Sequence, residues 1–159
     1  MPTAAKQAPA PSTIPAEGAS APACSLALTG EKNIDLASYK DKKNVVLYFY
    51  PKDDTPGCTT EAKDFAELNK QFEKADTVII GISKDPMKSH DKFRAKYELP
   101  FALASDDSGI AEQFGVWALK KSGTEGIHRT TFVIRGGKVL HVFKDVKPEG
   151  HAAEVLATL

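Results

Sequence analysis

Apolar runs alternate with helical patterns along this chain of 159 residues. Residues 45–50 and 77–83 are two runs that are almost entirely apolar, as expected for strands buried on both faces of a parallel sheet. Between them, apolar side chains recur at helical spacing over residues 58–72. This order of strand, helix and strand predicts a parallel pair joined by a right-handed crossover.

The C-terminal half predicts an antiparallel pair. Residues 128–134 and 138–144 are strand-like, and Gly136-Gly137 between them suits a hairpin turn. The remaining predicted elements are a short edge strand or hairpin at 24–28, a strand and turn at 34–39, helices at about 86–97, 106–114 and 149–159, a strand at 100–104 and a loop at 117–126. Together they indicate a three-layer α/β domain with one central mixed β-sheet flanked by helices.

The first twenty residues differ from the rest in composition. They are rich in alanine and proline, and Ile14 is their only large aliphatic side chain after the initiator methionine. Such a segment buries too little apolar surface to offset its ordering entropy. We therefore expect a flexible tail over residues 1–20 and one folded domain over residues 21–159.

Composition excludes several functional classes. The 21 basic and 21 acidic residues give a formal net charge of zero, with no basic stripe of the kind that binds nucleic acid. No apolar run reaches the length of a membrane span, so we expect no membrane partner. Two cysteines without a CxxC pair argue against a structural zinc site, and neither a metal nor another cofactor is expected. We expect a reduced, cytoplasmic protein.

One cysteine stands at a predicted helix start. Thr55 is a good N-cap and Pro56 suits the first helical position, so Cys58 falls in the first turn. Unpaired N–H groups and the positive end of the helix dipole favour a thiolate there, whereas burial and the carboxylates of Asp53, Asp54 and Glu61 would oppose it. From these residues alone, an activated thiol and an ordinary buried cysteine both remain open.

Three other sites also need an interpretation. His90 lies on a predicted helix with no second ligand type beside it, so we expect a solvated surface histidine. Asp106 and Asp107 precede a short helix, where acidic residues usually serve as caps. Trp117 could cover a pocket or the core, and the sequence does not decide between them.

The combined motifs resemble the peroxiredoxins. Pro51, Thr55 and Cys58 form the pattern P-x-x-x-T-x-x-C, and the segment 48–58 is similar to the signature of the bacterioferritin-comigratory, or PrxQ, subfamily. The segments 88–93, 115–117, 129–134 and 147–151 support the resemblance, which covers roughly residues 20–159. It implies a thioredoxin-like fold in its peroxiredoxin variant and a thiol-dependent peroxidase that reduces hydrogen peroxide and organic hydroperoxides.

The resemblance also implies a role for each site residue. Cys58 would be the peroxidatic nucleophile, Arg129 the missing cation and Thr55 a hydroxyl partner for the peroxide. Pro51 would shield the pocket, while the backbone N–H groups of Gly57 and Cys58 would hold the peroxide oxygens. Glu61 also matches the family and would orient Arg129, although a first-turn glutamate is favourable in any helix.

This chain departs from the subfamily at its resolving cysteine. The two usual positions are occupied here by Lys63 and Arg94. We therefore expect a monomeric one-cysteine enzyme whose sulfenic acid is reduced by glutathione, glutaredoxin or thioredoxin. The alternative is Cys24 as an unusual resolving cysteine, which requires the two Cα atoms to come within about 7 Å.

Two other functional classes are alternatives to a peroxidase. A redox-responsive binding module would use Cys58 to sense peroxide, but the sequence shows no dedicated interaction segment besides the tail. A thioredoxin-like reductase would need a second cysteine in Cys58-Thr-Thr-Glu61, which is absent.

Overall fold

A computed structural model describes residues 14–120 and 123–159. Its strands are β1 (Ser25–Leu28), β2 (Lys32–Asp35), β3 (Asn44–Phe49), β4 (Thr77–Ser83), β5 (Ala102–Ser105), β6 (Trp117–Leu119), β7 (Glu125–Ile127), β8 (Thr130–Arg135) and β9 (Lys138–Phe143). Its α-helices are α1 (Pro56–Lys74), α2 (Met87–Lys96), α3 (Ile110–Gln113) and α4 (His151–Leu156), and a 3₁₀ helix spans Leu36–Tyr39.

Seven strands form the main sheet in the order β2-β1-β5-β4-β3-β8-β9. The predicted mixed sheet is confirmed, because β3, β4 and β5 run parallel while β8, β9, β1 and β2 pair antiparallel. Strand β3 lies between β4 and β8, as its uninterrupted apolar sequence predicted, and its residues 45–49 are buried. The sheet therefore supplies a rigid platform whose central strand leads directly into α1.

Separate apolar clusters cover the two faces of the sheet. One face packs against α1, α4 and Phe93 of α2, with Tyr48 and Phe65 among its largest buried side chains. The other face packs against α3 and the 3₁₀ helix. Alternate residues of β3 contribute to each cluster, as the period of two in a strand requires.

A glycine in β4 accommodates the aromatic packing beneath α1. Gly81 is the register partner of Tyr48 in the parallel β3–β4 pair. A Cβ atom built on Gly81 would lie 2.6 Å from the Tyr48 ring. The absence of a side chain at this strand position thus allows Tyr48 to lie flat across the sheet and stack on Phe65, with ring centroids 4.7 Å apart.

The segment predicted as a loop at 117–126 differs from expectation. Strands β6 and β7 form a two-stranded antiparallel ladder there, although residues 121 and 122 lie outside the described chain. Each strand has only three residues, and Ile127 alone among these six is buried, so no alternating apolar pattern marked them. The final helix, His151–Leu156, is also shorter than the predicted span of 149–159.

The predicted tail falls partly outside the described residues, which begin at residue 14. Its described end runs beside β9, where Gly18 donates its N–H to Val139 O and Ala21 donates to Gly137 O. Ile14 packs against the core cluster on the α3 face. The division into a tail and a domain remains a prediction. In the described ranges, no helix is long and apolar enough to cross a membrane.

Candidate active site

Cys58 lies in the first turn of α1, as the sequence predicted. Thr55 has the extended backbone of an N-cap residue, and Pro56 occupies the first helical position. Pro56 has no N–H, and Thr59 already donates to Thr55 O, so the N–H groups of Gly57 and Cys58 lack acceptors within the helix. The Cys58 side chain faces inward, and the residue is 1% exposed.

Arg129 provides the cation beside this thiol. It precedes β8, which pairs with β3, and this pairing brings it to Cys58 across 71 positions of sequence. Its Nη2 donates to Cys58 Sγ at 3.4 Å, while its Nη1 donates to Glu61 Oε1 at 2.7 Å. One guanidinium fork therefore holds the sulfur and the buried carboxylate together, a geometry that lysine cannot reproduce.

Burial dominates the electrostatics of Glu61. Its side chain is fully buried, and this desolvation raises the pKa of Glu61 to about 7 although Arg129 opposes the shift. Its second oxygen, Oε2, is buried without a hydrogen-bond partner in the described chain, as is the Tyr48 hydroxyl. The site thus holds one cation, Arg129, and two groups beside it that can each become an anion, Cys58 and Glu61.

The other two carboxylates expected to oppose a thiolate are engaged elsewhere. Asp53 accepts from Tyr50 and Ser89 and pairs with His90. Asp54 accepts from Lys96 Nζ at 2.8 Å and from the Tyr97 hydroxyl at 2.8 Å. Neither carboxylate is directed at the sulfur, so the local charge balance depends on Arg129 and Glu61.

The remaining predicted site residues lie around the helix start. Thr55 donates its hydroxyl to Lys52 O at 2.9 Å and makes no side-chain capping bond, so it is an N-cap by position alone. Pro51 follows β3 and is partly buried. Gly57 contacts Arg129 so closely that an added Cβ atom would lie 3.1 Å from Nη2.

Cys24 lies apart from this group. It precedes β1 and packs against the apolar cluster on the α3 face, whereas Cys58 belongs to the cluster on the α1 face. Strands β5 and β4 separate β1 from β3, and three strand spacings amount to about 14 Å. Burial, with Asp106 and Asp35 adding to it, raises the pKa of Cys24 to about 11.

Sequence reasoning was wrong about His90. The residue is fully buried, and its Nδ1 lies 2.8 Å from Asp53 Oδ2 in the loop before α1. His90 stands three residues before Phe93 and seven before Tyr97, and this helical spacing already indicated an inward face. Its partner could not be found this way, because Asp53 lies 37 positions earlier in a loop.

Pro148 is a second site neighbour that sequence reasoning did not single out. An added Cβ atom on Gly57 would lie 3.2 Å from Pro148 Cγ, so the segment before α4 forms a wall beside the helix start.

The capping interpretation of Asp106 is confirmed, since its carboxylate accepts from the N–H groups of Ile110 and Ala111, at 2.8 Å each. Trp117 is partly buried against the α3-face cluster, with Lys84 Nζ 5.0 Å from the ring centre.

The AhpC/TSA family model matches residues 18–142, which is most of this chain. The chain belongs to the AhpC/TSA family. Within this family it is similar to peroxiredoxin Bcp of Bacillus subtilis (strain 168), with 49% identity over 133 residues that cover 80% of this chain and 84% of the relative. This AhpC/TSA chain therefore belongs with the Bcp/PrxQ peroxiredoxins.

Solved structures of peroxiredoxins agree with the fold of this AhpC/TSA member. A crystal structure of a Xylella fastidiosa PrxQ mutant superposes with a TM-score of 0.81 at 40% identity, covering 85% of this chain and 86% of that one. The bacterioferritin comigratory protein of Xanthomonas campestris, in a study of its alkyl peroxide reduction activity, gives a TM-score of 0.79 at 41% identity, covering 85% and 88%. The predicted thioredoxin-like fold is confirmed.

Membership at this identity and coverage establishes the enzyme class. The AhpC/TSA chain is a thiol-dependent peroxidase, which acts on peroxide and takes its reducing equivalents from a thiol. The predicted family, enzyme class and general function are thus confirmed.

Proposed function

We propose that Cys58 is the peroxidatic nucleophile and that it works by a one-cysteine mechanism. The observation that carries this proposal is the guanidinium fork of Arg129, which donates to Cys58 Sγ at 3.4 Å and to Glu61 Oε1 at 2.7 Å. An N–H donor from a cation stabilises a thiolate at the sulfur. Glu61 holds the guanidinium in position, so we assign it an orienting role.

In the first step, the Cys58 thiolate attacks the terminal, hydrogen-bearing oxygen of a hydroperoxide, ROOH. A sulfur–oxygen bond forms, the oxygen–oxygen bond breaks, and sulfenic acid and RO⁻ result. Cys58 is oxidised and the peroxide is reduced, and RO⁻ takes a proton to leave as an alcohol or, for hydrogen peroxide, as water. Because negative charge moves from sulfur to the leaving oxygen, donors fixed around both atoms lower the barrier.

Several neighbours are suited to hold the peroxide. The N–H groups of Gly57 and Cys58 lack acceptors within α1 and can donate to the peroxide oxygens. The Thr55 hydroxyl donates to Lys52 O, which leaves its oxygen lone pairs to accept the peroxide O–H. We assign Pro51, which is partly buried beside this loop, the role of shielding the pocket from water.

In the second step, an external thiol regenerates the enzyme. One thiol condenses with the sulfenic acid to release water and form a mixed disulfide, and a second thiol displaces Cys58 as a thiol. The opposite-face placement of Cys24, about three strand spacings away, favours this route over an internal disulfide. Glutathione, glutaredoxin and thioredoxin are the proposed reductants, and the alternative is Cys24 as resolving cysteine.

The proposed substrates are hydrogen peroxide and organic hydroperoxides. The study of alkyl peroxide reduction by the Xanthomonas campestris relative supports the second class. A monomer is the proposed active unit, because Arg129 reaches Cys58 and Glu61 within its own chain and this part of the site needs no partner residue. The proposed location is the cytoplasm, where thiol reductants are kept reduced.

A pair of matched serine variants tests the proposal. We expect Cys58→Ser to abolish peroxide consumption with each thiol reductant, because hydroxyl is a far weaker nucleophile than thiolate at neutral pH. Cys24→Ser is the control, and we expect it to retain turnover within about twofold. Turnover by Cys58→Ser would overturn the assignment of the nucleophile. Loss of turnover in Cys24→Ser, with Cys58 oxidation intact, would instead favour Cys24 as the resolving cysteine.

The same experiment addresses a peroxide sensor. A sensor would be oxidised once at Cys58 and would not turn over with any reductant. Multiple turnovers per chain therefore exclude a purely stoichiometric sensing role.

A further inference from the structure

The loop before α1 contains a buried carboxylate on which three donors converge. The Tyr50 hydroxyl donates to Asp53 Oδ1 at 2.5 Å, and the Ser89 hydroxyl donates to Oδ2 at 2.8 Å. His90 Nδ1 lies 2.8 Å from the same Oδ2. The side chain of Asp53 is 3% exposed and that of His90 is fully buried, so solvent does not replace these bonds.

The geometry assigns the proton of His90 to Nδ1. A carboxylate oxygen accepts hydrogen bonds, so Nδ1 must donate to Asp53. The other ring nitrogen, Nε2, is buried and has no hydrogen-bond partner in the described chain. His90 therefore uses one edge only, and that edge faces the loop that leads to Cys58.

The backbone of Asp53 is fixed as well. Its N–H donates to Asp85 Oδ2 at 2.8 Å, and Asp85 is itself held by the Ser83 hydroxyl at 2.7 Å. Asp85 follows β4, Tyr50 follows β3, and Ser89 and His90 belong to α2. The loop is thus attached at one residue to the ends of two central strands and to a neighbouring helix.

We propose that Asp53 and His90 are positioning residues for the peroxidatic site, because their buried pairing fixes the loop that carries Thr55 and leads into the first turn of α1. This role rests on the proposed function of Cys58. Asp53 precedes Thr55 by two residues and Cys58 by five, so a displaced Asp53 moves the hydroxyl and the N–H groups assigned to the peroxide. Displacements of about 1 Å in such groups can slow a reaction about a hundredfold.

The arrangement requires a carboxylate and an N–H donor in specific places. Asparagine at position 53 would present one oxygen and two N–H groups to three donors, and at least one donor would lose its acceptor. Phenylalanine at position 90 would fill the ring volume but remove the donor. Asparagine at position 90 can place its amide N–H near the site of Nδ1, where the Tyr50 hydroxyl also lies at 3.2 Å, but it loses the Nε2 edge and the ring contact with Tyr50.

Three variants therefore separate donation from ring volume. We expect Asp53→Asn and His90→Phe to lower the rate constant for Cys58 oxidation by hydrogen peroxide about tenfold or more, and His90→Asn to restore most of it. The rate is measured in single turnover by quenched flow and mass spectrometry of the Cys58 peptide. Reduction of preformed sulfenic acid by glutathione is measured separately, and we expect it not to slow, because positioning affects the peroxide step.

A stability control distinguishes positioning from general weakening of the fold. Leu26→Ala opens the core on the opposite face of the sheet and does not touch the loop. We expect it to lower the unfolding midpoint as much as the loop variants do, while its oxidation rate stays within about twofold of the parent. If Leu26→Ala slows oxidation to the same degree as Asp53→Asn, or if His90→Asn is as slow as His90→Phe, the positioning role is wrong.

Hydrogen exchange provides a readout that does not depend on chemistry. We expect faster exchange of the amides over residues 52–58 in Asp53→Asn and His90→Phe, and parent-like exchange there in His90→Asn. Unchanged exchange in all three variants would overturn the proposal even if rates differed. If the parent itself is not oxidised at Cys58, the proposed function fails, while the exchange measurement still decides whether the pair fixes the loop.

Discussion

Arg129 is the residue on which two potential anions depend. Its fork binds Cys58 Sγ and Glu61 Oε1, and the charges of these partners raise its pKa against the effect of burial. The guanidinium therefore stays charged under all relevant conditions. Its two proposed roles, stabilising the thiolate and stabilising the departing RO⁻, can be separated by experiment.

We expect Arg129→Ala to slow Cys58 oxidation about a hundredfold even at a pH where thiolate absorbance shows Cys58 to be ionised, because transition-state stabilisation is lost along with thiolate stabilisation. Single-turnover oxidation measured across pH 6 to about 10 tests this. The double variant Arg129→Ala/Glu61→Gln is the control, since it removes the buried carboxylate that Arg129→Ala leaves without its cation. An oxidation rate equal to the parent's at a pH where Cys58 is ionised would limit Arg129 to ionising the thiol.

Glu61 makes folding stability depend on pH. Its pKa is raised from 4.5 to about 7 by burial, so between these values the folded state keeps a proton that the unfolded state releases. The free energy of unfolding should fall as pH rises over this range, by on the order of 3 kcal/mol, and no further above about pH 7.

We expect Glu61→Gln to remove this decline, measured as urea unfolding of both proteins at several values of pH. His151, whose pKa is lowered by burial, contributes an opposite slope in both proteins and cancels in the difference. Parallel stability curves for the two proteins would show that Glu61 does not retain its proton on folding.

At the scale of single residues, the sequence and its resemblance to the peroxiredoxins predicted that Cys58, Arg129 and Glu61 are neighbours. The structure brings these three residues together. Reasoning from residues alone left the cation unidentified, because Arg129 is brought to Cys58 by strand pairing rather than by sequence proximity. His90 was misjudged for a different reason. The lack of a second metal-ligand type beside it indicated a surface histidine, whereas the helical spacing that it shares with Phe93 turns it inward toward Asp53.

The start of α1 is the element that joins these residues. Helix and strand boundaries were predicted well where apolar periodicity is strong, as in β3, β4 and α1. They were predicted poorly where elements are short and exposed, as in the β6–β7 hairpin. The close packing of Gly57 against Arg129 and Pro148 depends on three separate elements and leaves no periodic signal.

Gly57→Ala tests this packing. The added methyl would lie 3.1 Å from Arg129 Nη2 and 3.2 Å from Pro148 Cγ, so we expect the guanidinium to shift from Cys58 and oxidation to slow about tenfold. Any loss in the unfolding midpoint should be partly offset, because alanine favours a helix more than glycine does. Pro148→Ala and the double variant are the controls. An unaltered oxidation rate in Gly57→Ala would show that the site tolerates the shift.

The whole molecule determines how the oxidised cysteine can be regenerated. The sequence predicted the fold class and both apolar strands that flank α1, but it could not predict the strand order that places β5 and β4 between Cys24 and Cys58. Nor could it show that the two cysteines pack against opposite faces of the sheet. These two features favour an external thiol over an internal disulfide.

Intact-protein and peptide mass spectrometry after one equivalent of hydrogen peroxide tests the central claim most directly. We predict the gain of one oxygen atom at Cys58 as a sulfenic acid that a selective reagent traps, with Cys24 unmodified. Added glutathione should then convert it to a mixed disulfide. A loss of two hydrogens, with the Cys24 and Cys58 peptides linked, would contradict the one-cysteine mechanism. Absence of any change at Cys58 would contradict its assignment as the peroxidatic residue.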